Sequence, residues 1–289
     1  MKRSFLYLTL LLSAVVLICY SSKSGLFKIK KKKISTLSEL SVYRETCRTA
    51  AREAAAFQNF KRNPFYNLLQ EQVTYEQGNA YLSIIVQKYA DLLPKMDGLR
   101  KSDLIGNPRT FEYPSIGSFS PTTLCYVKTA GELKEIFGDL NGKKILEIGG
   151  GYGGQCAILN ELFALSSYTL VDLVEPLALA QKTLEQRGVK NVRFWKPEEI
   201  RGEEFDLVIS HYAFTESCPS LQKKYIQTLF SRAKMGYLVC NFLPRHFGLR
   251  PLSKEELCAE FTKRMIPYET LPEYPQTGKD NFLLVWKRG

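Results

Sequence analysis

The sequence has few of the residues from which metal centres and disulfide frameworks are built. Its 289 residues include only two histidines, and its seven cysteines form no CxxC pair. A structural zinc site needs closely spaced cysteine or histidine ligands, and a disulfide-stabilised domain needs a dense, even set of cysteines. The sequence therefore predicts neither, and we expect no obligatory metal. Scattered cysteines are typical of reduced thiols in a cytosolic domain.

Acidic residues are missing from the first 33 residues, which hold eight of the 40 lysines and arginines. The other 32 basic residues are nearly balanced by 29 acidic ones, although the chain as a whole carries a net charge of +11. A nucleic-acid groove needs basic side chains distributed over the folded domain. This distribution argues against a nucleic-acid partner and places the excess positive charge beside a hydrophobic segment.

That hydrophobic segment, Phe5–Tyr20, contains no charged residue. As a helix it would extend about 24 Å, slightly less than the ~30 Å hydrocarbon core of a bilayer. We predict that residues 1–22 form a membrane anchor, with a cleaved signal peptide as the alternative. The polybasic residues 23–33 then place the rest of the chain in the cytosol by the positive-inside rule. These lysines contact anionic headgroups or form a solvated linker.

Residues 34–125 are predicted to form a helical region that ends in a connector. Ile34–Asn59 is rich in helix-forming residues and predicts one long helix. Apolar residues at helical spacing predict a second helix over Glu76–Leu93. Glycines and prolines over Met96–Tyr126 predict a loop-rich connector, which is either a lid or a surface loop. The helical region forms a substrate lid or a dimer interface, and the sequence does not determine the oligomeric state.

Residues 126–289 are predicted to form an α/β domain of the Rossmann-like type. From Lys143 onward, apolar runs typical of strands buried on both faces alternate with helical segments. The predicted strands are Lys144–Ile148, Tyr168–Val171, Val192–Phe194, Phe205–Ser210, Tyr237–Phe242 and Phe282–Trp286. The predicted helices are Gln155–Ala164, Pro176–Arg187, Ser220–Arg232 and Lys254–Arg264.

A glycine-rich turn follows the first predicted strand. Gly149, Gly151 and Gly153 lie between that strand and a helix, where the backbone must turn tightly and approach a ligand closely. The glycines alone are ambiguous. They fit a GxGxG nucleoside-binding turn, and with Gly154 they also fit the GxGxxG dinucleotide pattern.

Two carboxylates favour S-adenosylmethionine over a dinucleotide. Glu147, two residues before Gly149, lies at the strand tip, where it attracts the positively charged methionine end of that cofactor and repels a pyrophosphate. Asp172 ends the next strand and is placed to accept hydrogen bonds from the ribose hydroxyls of either cofactor. About 135 residues follow the turn, too few for the substrate domain of many dehydrogenases. In the alternative interpretation both acids only cap strand ends.

Several stretches resemble the sugar O-methyltransferases, which are class I S-adenosylmethionine-dependent enzymes. These stretches are Tyr126–Phe137, Leu146–Gln155, Tyr168–Leu173 and Asn281–Trp286. The resemblance covers Tyr113–Gly289 and implies a mostly parallel sheet with an antiparallel last strand. It also implies methyl transfer to a hydroxyl of a sugar or glycan precursor. The cofactor residues that it implies are Glu147, Gly149, Gly151 and Asp172, with Ser120, Pro121 and Thr122 closing over the methionine end.

Methyl transfer to a hydroxyl is helped by a base at the carboxyl edge of the sheet. His211 follows the fourth predicted strand and is the first candidate, with Glu216 on the next loop as a further one. His246, after the fifth strand, is the rival base. In the alternative interpretations His211 is a structural histidine at a strand end and His246 is an ordinary loop residue. Glu216 could instead join a metal site, but its scattered partners form no recognisable set of ligands. Trp195, after the third strand, either stacks on adenine or packs against a neighbouring helix.

Three other functions stay open at this point. The first is methylation of another small metabolite or a lipid, which a membrane anchor would make convenient. The second is a nicotinamide-dependent oxidoreductase, which Glu147 disfavours. The third is a non-catalytic scaffold that retains a nucleoside-binding fold, which the intact glycine turn disfavours.

Overall fold

The computed structural model describes residues 35–67, 69–242 and 249–288 of the chain. The predicted anchor (residues 1–22), the polybasic linker (residues 23–33) and the rival base His246 lie outside the described residues. In the part that is described, no helix is long and apolar enough to cross a membrane. Ile34–Gly289 forms one compact unit.

The N-terminal part is helical, but the predicted long helix is broken, so the prediction of one helix over Ile34–Asn59 was wrong. Glu53 has an extended backbone and separates two helices. The break lets Phe57 and Phe60 join the same buried cluster as Tyr43, so packing overrides helix propensity. The helices are α1 (Ser41–Arg52), α2 (Ala54–Asn59), α3 (Pro64–Asn67), α4 (Tyr75–Lys88) and α5 (Met96–Arg100), with 3-10 turns at Leu37–Glu39, Phe60–Arg62, Ala90–Lys95 and Lys101–Leu104.

The connector contains more regular structure than its glycines and prolines predict. Strands β1 (Phe111–Tyr113) and β2 (Gly117–Phe119) form an antiparallel hairpin, and helix α6 (Pro121–Phe137) follows. Pro121 starts this helix because the first helical position does not need an amide hydrogen. Ser120 caps it by accepting a hydrogen bond from the amide of Thr123. The predicted boundary between residues 125 and 126 falls inside α6, which packs in one core with the sheet.

A seven-stranded sheet follows. Its strands are β3 (Lys144–Ile148), β4 (Ser167–Val171), β5 (Val192–Trp195), β6 (Leu207–His211), β7 (Met235–Cys240), β8 (Glu269–Pro272) and β9 (Phe282–Lys287). Their order in the sheet is β5-β4-β3-β6-β7-β9-β8. Neighbouring strands from β5 to β7 pair parallel, whereas β9 pairs antiparallel with both β7 and β8, which confirms the predicted sheet and its antiparallel last strand. Strand β8 was not predicted.

Helices connect the strands and cover both faces of the sheet with apolar side chains. They are α7 (Gly154–Leu162), α8 (Val174–Gln186), α9 (Pro219–Tyr225), which continues into a π-helical turn at Ile226–Phe230, and α10 (Lys254–Lys263). A capping box of Ser253 and Glu256 is present at the start of α10, and it confirms the predicted start of that helix at Lys254. The strand order reverses between β3 and β6, and open α/β sheets bind ligands in the crevice at such a reversal.

Candidate active site

The strand register brings three of the predicted site residues side by side. Ile148, the last residue of β3, pairs with Val171 of β4 and with Ser210 of β6. The next residue along each strand is Gly149, Asp172 and His211 respectively. These three residues therefore lie next to each other at the carboxyl edge of the sheet, where the strand order reverses.

The glycine turn needs its glycines for two separate reasons. Gly149, Gly151 and Gly153 have φ angles of 77°, 53° and 85°, a region that other residues rarely adopt. Close approach adds to this requirement, since a Cβ on Gly149 would lie 2.0 Å from the Cβ of Ala213. The turn can therefore present backbone, rather than side chains, to a ligand.

Asp172 holds the turn in place as well as facing the crevice. Its carboxylate accepts hydrogen bonds from the amides of Gly151 (3.1 Å) and Leu173 (2.8 Å). Burial raises its pKa to about 6 against these two bonds. A carboxylate can accept about four hydrogen bonds, so Asp172 keeps acceptor capacity for a ligand hydroxyl.

Glu147 is more deeply buried than its position at the strand tip suggests. It is 3% exposed, and its Oε2 accepts a hydrogen bond of 2.8 Å from the hydroxyl of Tyr168. Burial raises the pKa of Glu147 to about 8, a shift that the Tyr168 bond opposes and the nearby charge of Asp172 increases. A cation bound in the crevice would reverse this shift, because it favours the ionised carboxylate.

Trp195 ends β5 in a position that matches the packing interpretation. It is 5% exposed and belongs to a buried apolar cluster, where it packs edge-on against Phe205. The guanidinium groups of Arg193 and Arg201 lie 5.1 and 5.2 Å from its ring centroid. These neighbours account for the tryptophan without a ligand, and an adenine contact stays a prediction.

His211, which the strand register places next to Gly149, lines a small cavity of about 30 Å³. Its Nε2 is buried and has no hydrogen-bond partner among the residues that the structure describes. Burial, together with the positive charge of Lys128, lowers its pKa to about 4. His211 is therefore neutral at physiological pH, with a free nitrogen that can accept a hydrogen bond.

A charged pair on α6 forms one wall of this cavity. Lys128 and Glu132, one helical turn apart, form an ion pair of 2.6 Å and are largely buried. Tyr237 donates a hydrogen bond from its hydroxyl to Glu132. The wall thus combines a cation, a carboxylate and a phenol, all of which can bind ligand hydroxyls.

The segment between β8 and β9 closes the other side of the cavity. Tyr212 donates from its hydroxyl to Glu273, which also accepts bonds from Thr277 and Asn281. The backbone of Tyr212 is left-handed, with φ at 63°. A bulky residue adopts this conformation at a cost of about 1–3 kcal/mol, so the contact with Glu273 holds a strained residue at the cavity wall.

Of the other two base candidates, Glu216 does not line this cavity. Glu216 accepts a hydrogen bond of 2.9 Å from the side-chain amide of Asn241. Burial raises the pKa of Glu216, and the Asn241 bond opposes that shift. His246 lies outside the described residues. His211 is therefore the predicted base that the structure places beside the turn.

Neither composition nor spacing identified the rest of the cavity wall. Lys128 and Glu132 lie in a helix that was not predicted, and Glu273 lies in a stretch whose composition indicates a turn. The spacing of Lys128 and Glu132 is the one sequence signal that could have suggested a pair. Across residues 35–67, 69–242 and 249–288, no group of three histidine, cysteine or acidic side chains is placed to hold a metal ion. The absence of a metal requirement stays a prediction.

Solved structures with similar folds include methyltransferases. A SAM dependent methyltransferase from Aquifex aeolicus is 17% identical, with 54% of this chain and 88% of that chain covered and a TM-score of 0.40. Geranyl diphosphate C-methyltransferase from Streptomyces coelicolor A3(2), crystallised with S-adenosyl-L-homocysteine, is 11% identical, with 56% and 78% covered and a TM-score of 0.43. The mitomycin 7-O-methyltransferase MmcR is 15% identical, with 59% and 56% covered and a TM-score of 0.44.

No family model matches the chain, and no curated protein matches it either. At the identities and TM-scores of the structural neighbours, similarity does not assign an activity to this chain. A function has to be argued from the site itself.

Proposed function

We propose that this chain is an S-adenosylmethionine-dependent O-methyltransferase that acts on a hydroxyl of a sugar or glycan precursor. The observation that carries the proposal is the placement of the glycine turn, Asp172 and His211 in one register at the carboxyl edge of the sheet. A candidate nucleoside site and a neutral histidine are thereby on neighbouring strands, and methyl transfer to a hydroxyl depends on holding the cofactor and the acceptor close together.

The turn and its two acids fit the cofactor. Gly149 and Gly151 offer backbone that a ligand can approach, and Asp172 has acceptor capacity for ribose hydroxyls. Glu147 supplies a carboxylate whose ionisation a sulfonium or ammonium would favour. S-adenosylmethionine, when bound, supplies a methyl group that is open to attack by an oxygen.

His211 and Lys128 act on the acceptor hydroxyl. Nε2 of His211 accepts the hydrogen of the hydroxyl and would take its proton as the oxygen forms its bond to the methyl carbon and the bond from that carbon to sulfur breaks, which leaves S-adenosylhomocysteine. The ammonium of Lys128 stabilises the negative charge that develops on that oxygen. With a pKa of about 4, His211 is a weak base, so orientation of the hydroxyl contributes more than proton affinity does.

The lining of the cavity supports a polyhydroxylated acceptor. Lys128, Glu132 and Glu273 provide a cation and two carboxylates, and Tyr81, Tyr212 and Tyr237 contribute phenols. A lipid tail would need an apolar wall instead. The cavity is far smaller than the ~300 Å³ of a typical small-molecule site, so the segment between β8 and β9 has to move to admit a sugar.

We further propose that residues 1–33 attach the enzyme to a membrane with the rest of the chain in the cytosol. The support comes from the uncharged run, the lysines that follow it and the free thiols of Cys47, Cys156 and Cys240. Protease treatment of sealed vesicles tests this orientation. In inverted vesicles the cytosolic face of the membrane is on the outside, so we expect the chain to be digested without detergent. Protection of the chain from the protease in these vesicles would contradict the proposed orientation.

Calorimetric titration of the full-length chain tests the function. We expect S-adenosylmethionine and S-adenosylhomocysteine to bind and NAD not to bind. Transfer of a labelled methyl group should then occur to sugars or nucleotide sugars with free hydroxyls and not to the same compounds with all hydroxyls methylated. Binding of NAD alone would indicate an oxidoreductase, and nucleoside binding without transfer to any hydroxyl would indicate a scaffold.

A further inference from the structure

A lysine and a glutamate from the helical region are buried next to the glycine turn, and the reaction proposed above uses neither. Lys61 lies in the 3-10 turn after α2, and Glu71 lies between α3 and α4. Their side chains are 0% and 8% exposed, and Nζ of Lys61 is 4.0 Å from Oε1 of Glu71. That separation is too long for a hydrogen bond, and the one hydrogen bond that Nζ of Lys61 donates within the described residues is a long one of 3.4 Å to the backbone carbonyl of Ser102.

Buried charges without full hydrogen bonding are costly and uncommon. Oε1 of Glu71 is buried and has no hydrogen-bond partner in the described part of the chain, and the same holds for the hydroxyl of the adjacent Tyr66. Burial lowers the pKa of Lys61 and raises the pKa of Glu71. A ligand that carries one charge of each sign would satisfy both groups at once.

Three contacts place this pair at the glycine turn. Nζ of Lys61 lies 4.0 Å from the ring centroid of Tyr152, which belongs to the turn. Gln70, the neighbour of Glu71, has its Oε1 2.9 Å from the point that a Cβ on Gly151 would occupy. Thr122, at the start of α6, donates a hydrogen bond of 3.0 Å to the other oxygen of Glu71. A ligand on the turn would thus have the pair within its reach once Gln70 moves.

We infer that Lys61 and Glu71 form the subsite for the α-amino acid end of S-adenosylmethionine, with Lys61 binding its carboxylate and Glu71 its ammonium group. The inference rests on the proposed function. It assigns the helical region a role that periodicity could not identify, because that region supplies part of the cofactor site. The amino acid end is the one part of the cofactor with both charges, and the pair matches it in sign.

Three ligands separate the two contacts in the full-length chain. S-adenosylmethionine carries both charged groups, and decarboxylated S-adenosylmethionine lacks the carboxylate. Methylthioadenosine lacks the whole amino acid end and also the positive charge on sulfur, so the contact with the ammonium group is isolated by comparing Glu71→Gln with the wild type. We expect wild-type affinity to fall about 10-fold or more at each removal, as is typical when a buried charge loses its partner. Equal affinity for the first two ligands would overturn the role of Lys61 without any mutation.

The variants Lys61→Met and Glu71→Gln give the residue assignment. Lys61→Met should lower the affinity for S-adenosylmethionine about 10- to 100-fold and change the affinity for the decarboxylated ligand by no more than about 2-fold. Glu71→Gln should lower the affinity for both of these ligands. Neither variant should change the affinity for methylthioadenosine. That last affinity also reports whether each variant is folded.

Lys182→Met is the matched control, because Lys182 also lies over an aromatic ring, that of Phe57, and donates to backbone carbonyls. It should leave the affinity for all three ligands unchanged. If no ligand binds to the wild type, the proposed function fails. If all three bind but the Lys61 and Glu71 variants do not discriminate among them, only the assignment of this subsite fails.

Discussion

The amide of Gly151 donates a hydrogen bond to the carboxylate of Asp172, at 3.1 Å, and this bond ties the glycine turn after β3 to the end of β4. One side chain thus shapes the turn and faces the ligand crevice. Removing its charge should affect the binding of every ligand that uses the turn, whatever group that ligand carries at its other end.

Asp172→Asn is therefore expected to lower the affinity for S-adenosylmethionine, S-adenosylhomocysteine and methylthioadenosine alike. A hydrogen bond to a charged group contributes about 1.5–3 kcal/mol, so the loss should be at least about 10-fold for each ligand in calorimetry. Asp206→Asn is the matched control. Asp206 also accepts a backbone amide hydrogen, that of Lys144, but at the opposite edge of β3. Equal effects of the two variants would contradict a site at the carboxyl edge.

Glu147 should make the protein less stable as the pH rises. Burial raises its pKa from 4.5 to about 8, so the folded chain holds a proton that the unfolded chain releases. The free energy of unfolding is therefore highest below pH 4.5, as far as Glu147 is concerned, and it decreases as the pH rises to about 8. Asp172 adds a slope of the same sign only up to about pH 6, and burial raises the pKa values of Glu71 and Glu216 as well, so the share of Glu147 between pH 6 and 8 is the part of the slope that Glu147→Gln removes. Urea unfolding across that interval measures it.

Glu147→Gln should flatten the dependence of unfolding free energy on pH between 6 and 8. Asp206 gives the contrast. Its pKa is lowered below 3.8 by bonds to Lys144 and Lys234 that outweigh its partial burial. Asp206 therefore stabilises the folded chain above pH 3.8, and this stabilisation is lost as the pH falls below that value. Asp206→Asn should therefore leave the slope at pH 6–8 intact. A slope that is the same in Glu147→Gln as in the wild type would show that this carboxylate is ionised in the folded chain.

The sheet was predictable because its signals are local. Strand β3 is apolar and is followed at once by glycines that only a tight turn requires, so its bounds were predicted to the residue. The capping box of Ser253 and Glu256 likewise fixes the start of α10 within four residues of sequence. Where the deciding contact was distant, prediction failed. The break at Glu53 depends on packing with residues outside α1 and α2.

The site was predictable in part for the same reason. Glu147, Gly149 and Asp172 are recognised by their offsets from strands. Lys61, Glu71 and Glu273 are not, because each reaches the site through the folding of another segment. Pro121 shows how one residue supports two interpretations, since proline marks a loop in isolation and begins a helix after a capping serine.

His211 should control turnover and not cofactor affinity. His211→Asn keeps a polar side chain but removes the basic nitrogen, so the turnover number should fall about 100-fold or more while S-adenosylhomocysteine binds normally. In the pH profile of the wild type, kcat/KM should fall on the acid side near pH 4, because His211 becomes protonated there. Lys128→Met should move that fall to higher pH, because the lysine charge helps to lower the pKa of the histidine. Loss of turnover in His246→Asn but not in His211→Asn would transfer the role of base to His246.

The contact between Tyr212 and Glu273 should act as the latch of the segment between β8 and β9. Removing the phenol hydroxyl in Tyr212→Phe deletes its hydrogen bond to Glu273 and its hydrogen bond with the hydroxyl of Thr277 (2.9 Å), and leaves the ring in place. The lost bond to Glu273 is worth about 1.5–3 kcal/mol, which corresponds to roughly 10-fold or faster local opening. Hydrogen exchange at Thr277 and Asn281 measures that opening directly.

Tyr81→Phe is the control for this variant, since it removes another hydroxyl of the same cavity without contacting the segment's hydrogen bonds to Glu273. It should leave exchange at Thr277 unchanged. Because the cavity of about 30 Å³ cannot hold a sugar, opening must precede acceptor binding. We therefore expect Tyr212→Phe to speed acceptor entry as well as exchange. Unchanged exchange at both amides would mean that Thr277 and Asn281 hold Glu273 without the tyrosine, and the latch would have to be assigned to them.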